Sequence, residues 1–324
     1  MITVLCGGVG GVKLVDGLAA VLADPSTLTV IVNTADDLEH LGLHISPDVD
    51  TVLYTLAGLA GDERGWGIDG DTWTALEMLK RYRLPTWFRL GDRDLATHLA
   101  RTQWLREGRR PTEVTAALAS ALGVVPRVLP MSDAPVATFV STPAGRLPFQ
   151  EYFVRRGARD QVTGVEFEGI EHARPSLEVL DAIRSSAMII ISPSNPVVSI
   201  GPILALQGMG VALSASSALR MAVTPLIGGT AVKGPTVEML RGLGMRADSA
   251  AVAAQYGRFI DVFVLDIRDR ALRDTVAAAG SPAQPLSVEC ADTLMTDPAG
   301  RRRLARALID IAARHGIEVA AKTA

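Results

Sequence analysis

The sequence has little of what marks several classes of protein. It contains two cysteines, Cys6 and Cys290, and their wide separation matches neither a metal-binding nor a redox motif. Aromatic residues make up 5% of the 324 residues and the net charge is -3, so a basic, aromatic-rich surface for nucleic acid is not expected. The apolar runs are too short to span a bilayer, and the first residues lack a signal-peptide pattern. We therefore expect a cytoplasmic protein with reduced thiols and no nucleic-acid or membrane partner.

Apolar residues, by contrast, make up 48% of the chain, enough for a large aliphatic core. Short apolar runs typical of buried strands alternate with stretches of helical periodicity. The predicted strands are 3–5, 28–32, 187–191, 222–226, 261–265 and 286–288. The predicted helices are 12–22, 49–59, 176–185, 236–243, 270–279 and 301–313. This alternation predicts an α/β fold with a doubly wound (Rossmann-like), mostly parallel sheet. Ligands of such sheets bind at the carboxyl ends of the strands.

The middle of the chain departs from this alternation. Three helical stretches, at 72–83, 95–106 and 112–122, follow one another with little strand between them. They predict a helical cap, inserted over residues 66–125, above the edge of the sheet. Two strand-like runs at 136–141 and 149–154 flank a turn sequence and predict a β-hairpin within a hairpin region at 135–170. We therefore predict a single α/β domain over residues 1–324 that contains both insertions.

A glycine-rich loop, residues 7–11, separates the first predicted strand from the first helix. It lacks the second glycine and the hydroxyl of a P-loop, and Lys13 stands where a dinucleotide-binding fingerprint needs its third glycine. The loop can still offer backbone N–H groups, a helix N-terminus and a lysine to an anion. Gly8, Gly10, Gly11 and Lys13 are therefore candidate phosphate ligands. The alternative is a tight turn that lets the helix pack closely on the sheet.

Two clusters of aspartates follow the second predicted strand. Asp36 and Asp37 come directly after the second predicted strand, and Asp48 and Asp50 lie at the start of the next helical stretch. Mg²⁺ is usually held by one or two carboxylates together with substrate phosphates. A magnesium ion on a diphosphate, or contact with a substrate hydroxyl, is therefore the functional interpretation. Helix N-capping is the alternative for Asp48 and Asp50.

Polar side chains also mark two later loops. Arg89 precedes a helix and could bind an anion or stack on a flat ring, or it could be a surface cation. Ser194 and Asn195 lie between prolines after the most apolar strand, where they could contact a nucleotide or simply form a turn. His40 and His44 are four residues apart but lack the rest of a zinc motif, so we prefer a loop histidine that contacts substrate.

These segments together resemble one known family. The resemblance runs from the N-terminus to about residue 266 and rests on the segments 7–14, 33–37, 44–51, 90–94, 130–133, 149–154, 193–196 and 228–234. The family is 2-phospho-L-lactate transferase (in its phosphoenolpyruvate transferase form), of deazaflavin coenzyme F-420 biosynthesis.

The resemblance implies a Mg²⁺-dependent transfer of a phosphoenolpyruvyl or 2-phospholactyl group from a guanosine-diphospho donor to 7,8-didemethyl-8-hydroxy-5-deazariboflavin, with GMP leaving. It implies that Asp50 and Arg89 contact the deazaflavin, and that Asp36 and Asp37 lie beside the metal and the diphosphate. Asp36 and Asp50 are thus candidate catalytic residues, and Asp36, Asp37 and Asp50 are candidate Mg²⁺ ligands. Residues 193–196 would border the guanine nucleotide, and the family expectation is a homodimer.

Other functions remain open at this point. A nucleotide-sugar-binding regulatory protein of the related gluconeogenesis-factor type, without turnover, would share the fold, but the Asp48–Asp50 segment and Arg89 favour a transferase. The missing dinucleotide fingerprint disfavours an oxidoreductase. No motif distinguishes a phosphoenolpyruvyl from a 2-phospholactyl or 3-phosphoglyceryl donor. The Ala-, Arg- and Val-rich composition favours an actinobacterial source, for which the resemblance implies the phosphoenolpyruvyl donor.

Overall fold

The computed structural model describes residues 1–61, 66–232, 234–280 and 286–322. Its strands are β1 (Ile2–Cys6), β2 (Leu28–Val32), β3 (Leu38–His40), β4 (Leu43–Ile45), β5 (Arg127–Pro130), β6 (Ala137–Thr142), β7 (Gly145–Pro148), β8 (Gly164–Glu168), β9 (Met188–Ile191), β10 (Leu219–Val223), β11 (Leu226–Ile227), β12 (Thr230–Ala231), β13 (Val262–Asp266) and β14 (Ser287–Ala291). Its α-helices are α1 (Val9–Val21), α2 (Pro47–Leu56), α3 (Thr74–Arg81), α4 (Asp92–Arg106), α5 (Pro111–Ala121), α6 (Leu177–Ser185), α7 (Ile200–Ala205), α8 (Met209–Ala215), α9 (Thr236–Gly242), α10 (Ser249–Tyr256), α11 (Arg273–Ala277) and α12 (Pro298–Arg314).

Seven of these strands form the central sheet in the order β14-β13-β10-β9-β1-β2-β5, and every neighbouring pair is parallel. The predicted doubly wound α/β fold is thereby confirmed. Strands β1, β2, β9 and β13 are buried along their whole length, as their continuous apolar runs require. From β1 the strand order proceeds toward β2 on one side and toward β9 on the other. This reversal opens a crevice at the carboxyl ends of β1 and β9.

Helices cover both faces of the sheet. Alternate residues of β1 belong to different cores: Val4 packs in one buried cluster with α1, α2, α5 and α12, whereas Leu5 packs in the other with α6, α7, α8 and α10. The closest helix pair is α1 with α12, where the carbonyl oxygen of Arg301 approaches Gly17 so closely that a β-carbon at Gly17 could not fit. Glycine at position 17 therefore lets α1 and α12 pack against each other at close range.

Two local predictions were wrong. The sequence interpretation left out β5, the edge strand that pairs with β2, because prolines at 126 and 130 bound its short apolar run. It also misplaced the second hairpin strand at 149–154. The chain reverses over two residues, since Thr142 pairs with Gly145, and the return strand is β7. Residues Glu151–Arg155 instead form a π-helical turn.

The helices of the inserted region differ in how deeply they are buried. Helix α5 contributes Val114 and Leu118 to the main core beside Val128 of β5, so it belongs to the helical layer of the sheet. Helix α3, by contrast, has no buried residue. The domain boundaries at 66–125 and 135–170 stay a prediction. Within the described residues, no helix combines the length and apolarity needed to cross a membrane.

Candidate active site

A cavity of about 530 Å³ opens at the carboxyl edge of the central sheet. Its walls come from the loops after β1, β2, β9, β10 and β14, from helix α2, and from the 66–98 and 149–154 segments. The cavity therefore lies over the crevice where the strand order reverses, which is where doubly wound folds bind their ligands.

The glycine loop forms the floor of this cavity, and close neighbours explain its composition. A β-carbon at Gly10 would lie 2.6 Å from the Pro193 carbonyl oxygen, and one at Gly8 would lie 2.8 Å from an Asp48 carboxylate oxygen. Both glycines line the cavity. Gly11 is different, since it packs against the hydroxyls of Ser192 and Ser194 and is not among the lining residues. The turn interpretation thus describes Gly11, and its contact with a ligand stays a prediction.

Three further predicted ligands line the cavity but also hold the loops together. Lys13 Nζ donates to the Met295 carbonyl oxygen at 3.1 Å, and Ser194 Oγ accepts from the Gly7 N–H at 3.2 Å. The Asn195 side-chain oxygen accepts from the Val197 N–H at 2.9 Å. These bonds hold the loops that border the cavity, as the turn interpretation requires, and contact of the three residues with a ligand stays a prediction. The segment 228–234 is also rich in glycine and contains a further lysine, Lys233, which lies outside the described residues.

A pair of carboxylates stands beside the glycine loop. One amide group, Asn33 Nδ2, donates to Asp36 Oδ2 and to Asp48 Oδ2, both at 3.1 Å, so the two acids lie side by side. Burial raises the pKa of Asp48 to about 7, and burial together with the charge of Asp48 raises the pKa of Asp36. Asp48 lies in the first turn of α2, yet its side chain bonds Asn33 and the Gly8 N–H, so N-capping does not explain it.

This pair fits Mg²⁺. Asp36 Oδ1 is buried without a hydrogen-bond partner, and both acids line the cavity. Two carboxylates with substrate phosphates would complete a magnesium shell. Across the described ranges, no group of three or more His, Cys, Asp and Glu side chains is arranged to hold a metal. The predicted trio of Asp36, Asp37 and Asp50 is therefore not assembled as one cluster.

Asp37 turns to a different environment. Its Oδ2 accepts from Ser46 Oγ at 2.7 Å and lies 3.1 Å from His44 Nε2, and Asp37 is not among the described cavity-lining residues. Although burial acts to lower it, the pKa of His44 is raised by Asp37, which favours the charged ring. Asp37 thus braces the β3–β4 hairpin in this structure, and its role as a metal ligand stays a prediction.

Asp50 does line the cavity, and it is part of a buried network. Both of its oxygens accept from the guanidinium of Arg101, with Nη1 at 3.0 Å from Oδ2. His98 Nδ1 lies 3.2 Å from the same Nη1, and His98 Nε2 lies 3.2 Å from Asp94 Oδ1. Tyr54 Oη donates to Asp94 at 2.8 Å. Burial, with the charges of Asp50 and Asp94, raises the pKa of Tyr54 further above neutrality. A guanidinium on both oxygens favours Asp50 as a ligand for a hydroxyl over Asp50 as a ligand for a metal.

The sequence interpretation missed this network, although the pattern held a signal. Asp94, His98 and Arg101 are spaced four and three residues apart on a predicted helix, so they share one face. Ionisable residues on one helix face are normally solvated, and nothing local indicated that this face would be buried. Residues Arg101 and His98 are 3% and 1% exposed.

Several residues that line the cavity are aromatic. Trp66, Trp87, Phe88 and Phe153 are among them, with the Trp87 and Phe88 rings 5.7 Å apart. Arg89 also lines the cavity, with its guanidinium 4.5 Å from the centre of the Trp73 ring. Such side chains suit a flat, conjugated ligand.

The acid pair gives a pH dependence that can be measured. Between its ordinary pKa of 3.8 and about 7, Asp48 holds a proton in the folded protein that it has lost in the unfolded chain. This uptake of a proton on folding contributes to the free energy of unfolding. We expect the contribution to be present at low pH and lost as the pH rises through about 7. Thermal unfolding at about pH 6 and about pH 8 should show a smaller difference in Asp48→Asn than in wild type.

The exposed Asp310→Asn variant is the control and should keep the wild-type difference. Mg²⁺ would compete with protons for the carboxylates of Asp36 and Asp48, so it should raise Tm more at about pH 8 than at about pH 6. An Asp48→Asn variant with the pH dependence of wild type would contradict this account.

Known proteins are similar to this chain over almost its whole length. A family model, 2-phospho-L-lactate transferase CofD, matches residues 2–299. The 2-phospho-L-lactate transferase of Methanospirillum hungatei is 41% identical over 309 residues, covering 95% of this chain and 99% of that protein. The phosphoenolpyruvate transferase of Kitasatospora aureofaciens is 39% identical over 323 residues, covering 97% and 99%. A crystal structure of a UPF0052 family member from Bacillus halodurans shares the fold, with a TM-score of 0.58 at 17% identity over 95% of this chain and 97% of that one. The chain therefore belongs to the 2-phospho-L-lactate transferase CofD family.

Proposed function

We propose that this protein transfers a phosphoenolpyruvyl or 2-phospholactyl group from its guanosine-diphospho donor to 7,8-didemethyl-8-hydroxy-5-deazariboflavin. The products are (dehydro)coenzyme F-420-0 and GMP, and Mg²⁺ is required. The observation that supports this most is that one cavity is lined by two chemically different groups of residues. The glycine loop and the Asp36–Asp48 pair are the first group, and Asp50, Arg89 and aromatic rings are the second.

The first group suits a diphosphate. Gly8 and Gly10 line the cavity at the start of α1, where the helix dipole favours an anion. Lys13 lies one turn further along and also lines the cavity. Asp36 and Asp48 would hold Mg²⁺, which when bound neutralises the diphosphate and the departing GMP. Ser194 and Asn195 would border the nucleotide.

The second group suits the deazaflavin. Arg89 and the aromatic side chains can receive a flat ring that readily becomes anionic. Asp50 lines the same cavity from the first turn of α2, two residues after Asp48. A ribityl chain that extends from the ring toward the diphosphate would therefore bring its terminal hydroxyl to Asp50.

The reaction follows from this placement. The hydroxyl oxygen forms a bond to the phosphorus that carries the three-carbon acid, while the bond from that phosphorus to the bridging oxygen breaks. GMP leaves with the bonding electrons, and Asp50 orients the hydroxyl and receives its proton late in the transfer. Positioning and charge neutralisation supply most of the acceleration in such reactions, and a closed cavity excludes water as a competing nucleophile.

The test is incubation of the purified protein with Mg²⁺, the deazaflavin and each guanylated donor in turn, with products read by mass spectrometry. We expect one donor to give a deazaflavin product together with GMP. Relatives of both names are about equally similar to this chain, so the phosphoenolpyruvyl, 2-phospholactyl and 3-phosphoglyceryl donors must be compared directly. Nucleotide binding without product from any donor would instead favour the regulatory alternative. Light scattering would test the expected homodimer.

A substitution of Arg89 provides a sharper test of the proposed deazaflavin site. Loss of its cation should weaken deazaflavin binding, so we expect Arg89→Ala to raise the KM for the deazaflavin about tenfold, with little change in the donor KM. Steady-state kinetics with each substrate varied in turn would measure both.

The matched control for Arg89 is Arg109→Ala. Arg109 also stacks on a tryptophan, with its guanidinium 4.9 Å from the Trp104 ring, but it does not line the cavity. This control should keep the wild-type KM values. An unchanged deazaflavin KM in Arg89→Ala would remove Arg89 from the acceptor site.

A further inference from the structure

Arg101 on α4 is a buried cation placed directly behind the candidate catalytic aspartate. It is 3% exposed and is not among the described residues that line the cavity, whereas Asp50 is. Arg101 donates to both oxygens of Asp50 in the two-pronged geometry that a guanidinium and a carboxylate prefer. A pair of this kind fixes the plane and the direction of the carboxylate as well as its charge.

Arg101 also contacts a second residue that lines the cavity, His98. The same Nη1 that bonds Asp50 lies 3.2 Å from His98 Nδ1, so His98 accepts there and carries its proton on Nε2. Nε2 in turn lies 3.2 Å from Asp94, which accepts from Tyr54. His98, Asp94 and Tyr54 all line the cavity. Arg101 thus joins two helices, α2 and α4, behind one patch of the wall.

A structural explanation of this pair is incomplete. Burying two charges costs desolvation energy, and the attraction between the charges offsets this cost only when their geometry is good. A pair of apolar side chains of similar volume often stabilises a protein at least as much as the ion pair does. A buried pair is therefore better explained when its geometry serves a site. Here the acidic member faces a cavity and the basic member stands behind it.

We propose that Arg101 is a positioning residue for the transfer. It holds Asp50 in the orientation that receives the attacking hydroxyl, and it acts on the substrate through Asp50 without touching it. This inference rests on the proposed function, because it assigns Asp50 to the acceptor hydroxyl.

A double-mutant cycle in the full-length protein tests this assignment. Arg101→Lys keeps the charge but loses the fork, and we expect kcat to fall at least about tenfold with the donor KM unchanged. If Arg101 acts through Asp50, the double variant Asp50→Asn/Arg101→Lys should have the same kcat as Asp50→Asn alone. Equal multiplicative losses in both backgrounds would overturn the proposal.

The matched control is Arg220→Lys. Arg220 pairs with Asp261 through Nε at 3.0 Å, outside the cavity, so the same loss of a fork there should leave kcat unchanged. A kcat loss in the control as large as that in Arg101→Lys would mean that any broken Arg–Asp pair lowers activity, which would also overturn the proposal.

Quenching of deazaflavin fluorescence separates this inference from the proposed function. The same double-mutant cycle can be measured as the Kd for the deazaflavin, which needs no turnover. We expect Asp50→Asn and Arg101→Lys to be coupled in this Kd as well. A wild-type protein that binds the deazaflavin with this coupling but makes no product would contradict the proposed function alone. Active wild type with uncoupled substitutions would contradict the inference alone, and failure to bind the deazaflavin would contradict both.

Discussion

Replacing Asp50 by asparagine is expected to lower the rate of transfer by at least about a hundredfold, the lower scale for groups that handle a proton in the reaction. Asparagine has nearly the shape of aspartate, and it can still accept from Arg101 through one oxygen. It cannot take up the hydroxyl proton, and it cannot accept on both sides as the carboxylate does. The loss should therefore appear in kcat while the donor KM stays near the wild-type value.

Single-turnover product formation, read by mass spectrometry, would measure this effect. The control is Asp261→Asn, another aspartate paired with an arginine but outside the cavity, which should transfer at the wild-type rate. Thermal unfolding of both variants would show whether the fold is intact. Undiminished turnover in a folded Asp50→Asn protein would remove Asp50 from the mechanism.

Replacing Arg101 by methionine is expected to lower the free energy of unfolding by about 3–5 kcal/mol, because it leaves the carboxylate of Asp50 buried without its partner. Methionine has a similar length and is apolar, so packing is largely kept and the lost pairing dominates. The same change at Arg220 should cost less, since the side chains of Arg220 and Asp261 are 14% and 25% exposed and water can replace the contact.

Urea unfolding of both variants would measure the difference. The double variant Asp50→Leu/Arg101→Met removes both charges together, and we expect it to recover much of the stability lost in Arg101→Met. A loss in Arg101→Met no larger than that in Arg220→Met, or a double variant as unstable as the single one, would contradict this account of the buried pair.

Much of the fold could be predicted because its signals are local. The apolar runs of β1, β2, β9 and β13 and the helical periodicities between them are properties of short segments, and each was recognisable without its neighbours. The carboxyl-edge location of the glycine loop, Asp36 and Asn195 followed from the parallel fold itself. The errors at β5 and β7 arose where prolines or a two-residue turn shortened the local signal.

The roles of the individual aspartates could not be predicted in the same way. Asp36 and Asp37 are adjacent in the sequence, but their side chains have different partners. Asp36 shares Asn33 with Asp48, whereas Asp37 bonds Ser46 and is not among the described residues that line the cavity. The direction in which each of these two side chains points depends on partners up to nine residues away and on the packing of a hairpin that was not predicted. A run of two acids gives no local information on that choice.

The sequence by itself therefore determined the parallel sheet, the edge at which the candidate site lies and the residue types available there, since hydrophobic periodicity and turn chemistry act over a few residues. Only the tertiary structure decided that Asp36 pairs with Asp48 and that Arg101, fifty-one residues beyond Asp50, lies behind it. The physical reason is that burial makes a charge depend on its partner, and the partner of a buried charge is chosen by the packing of whole helices.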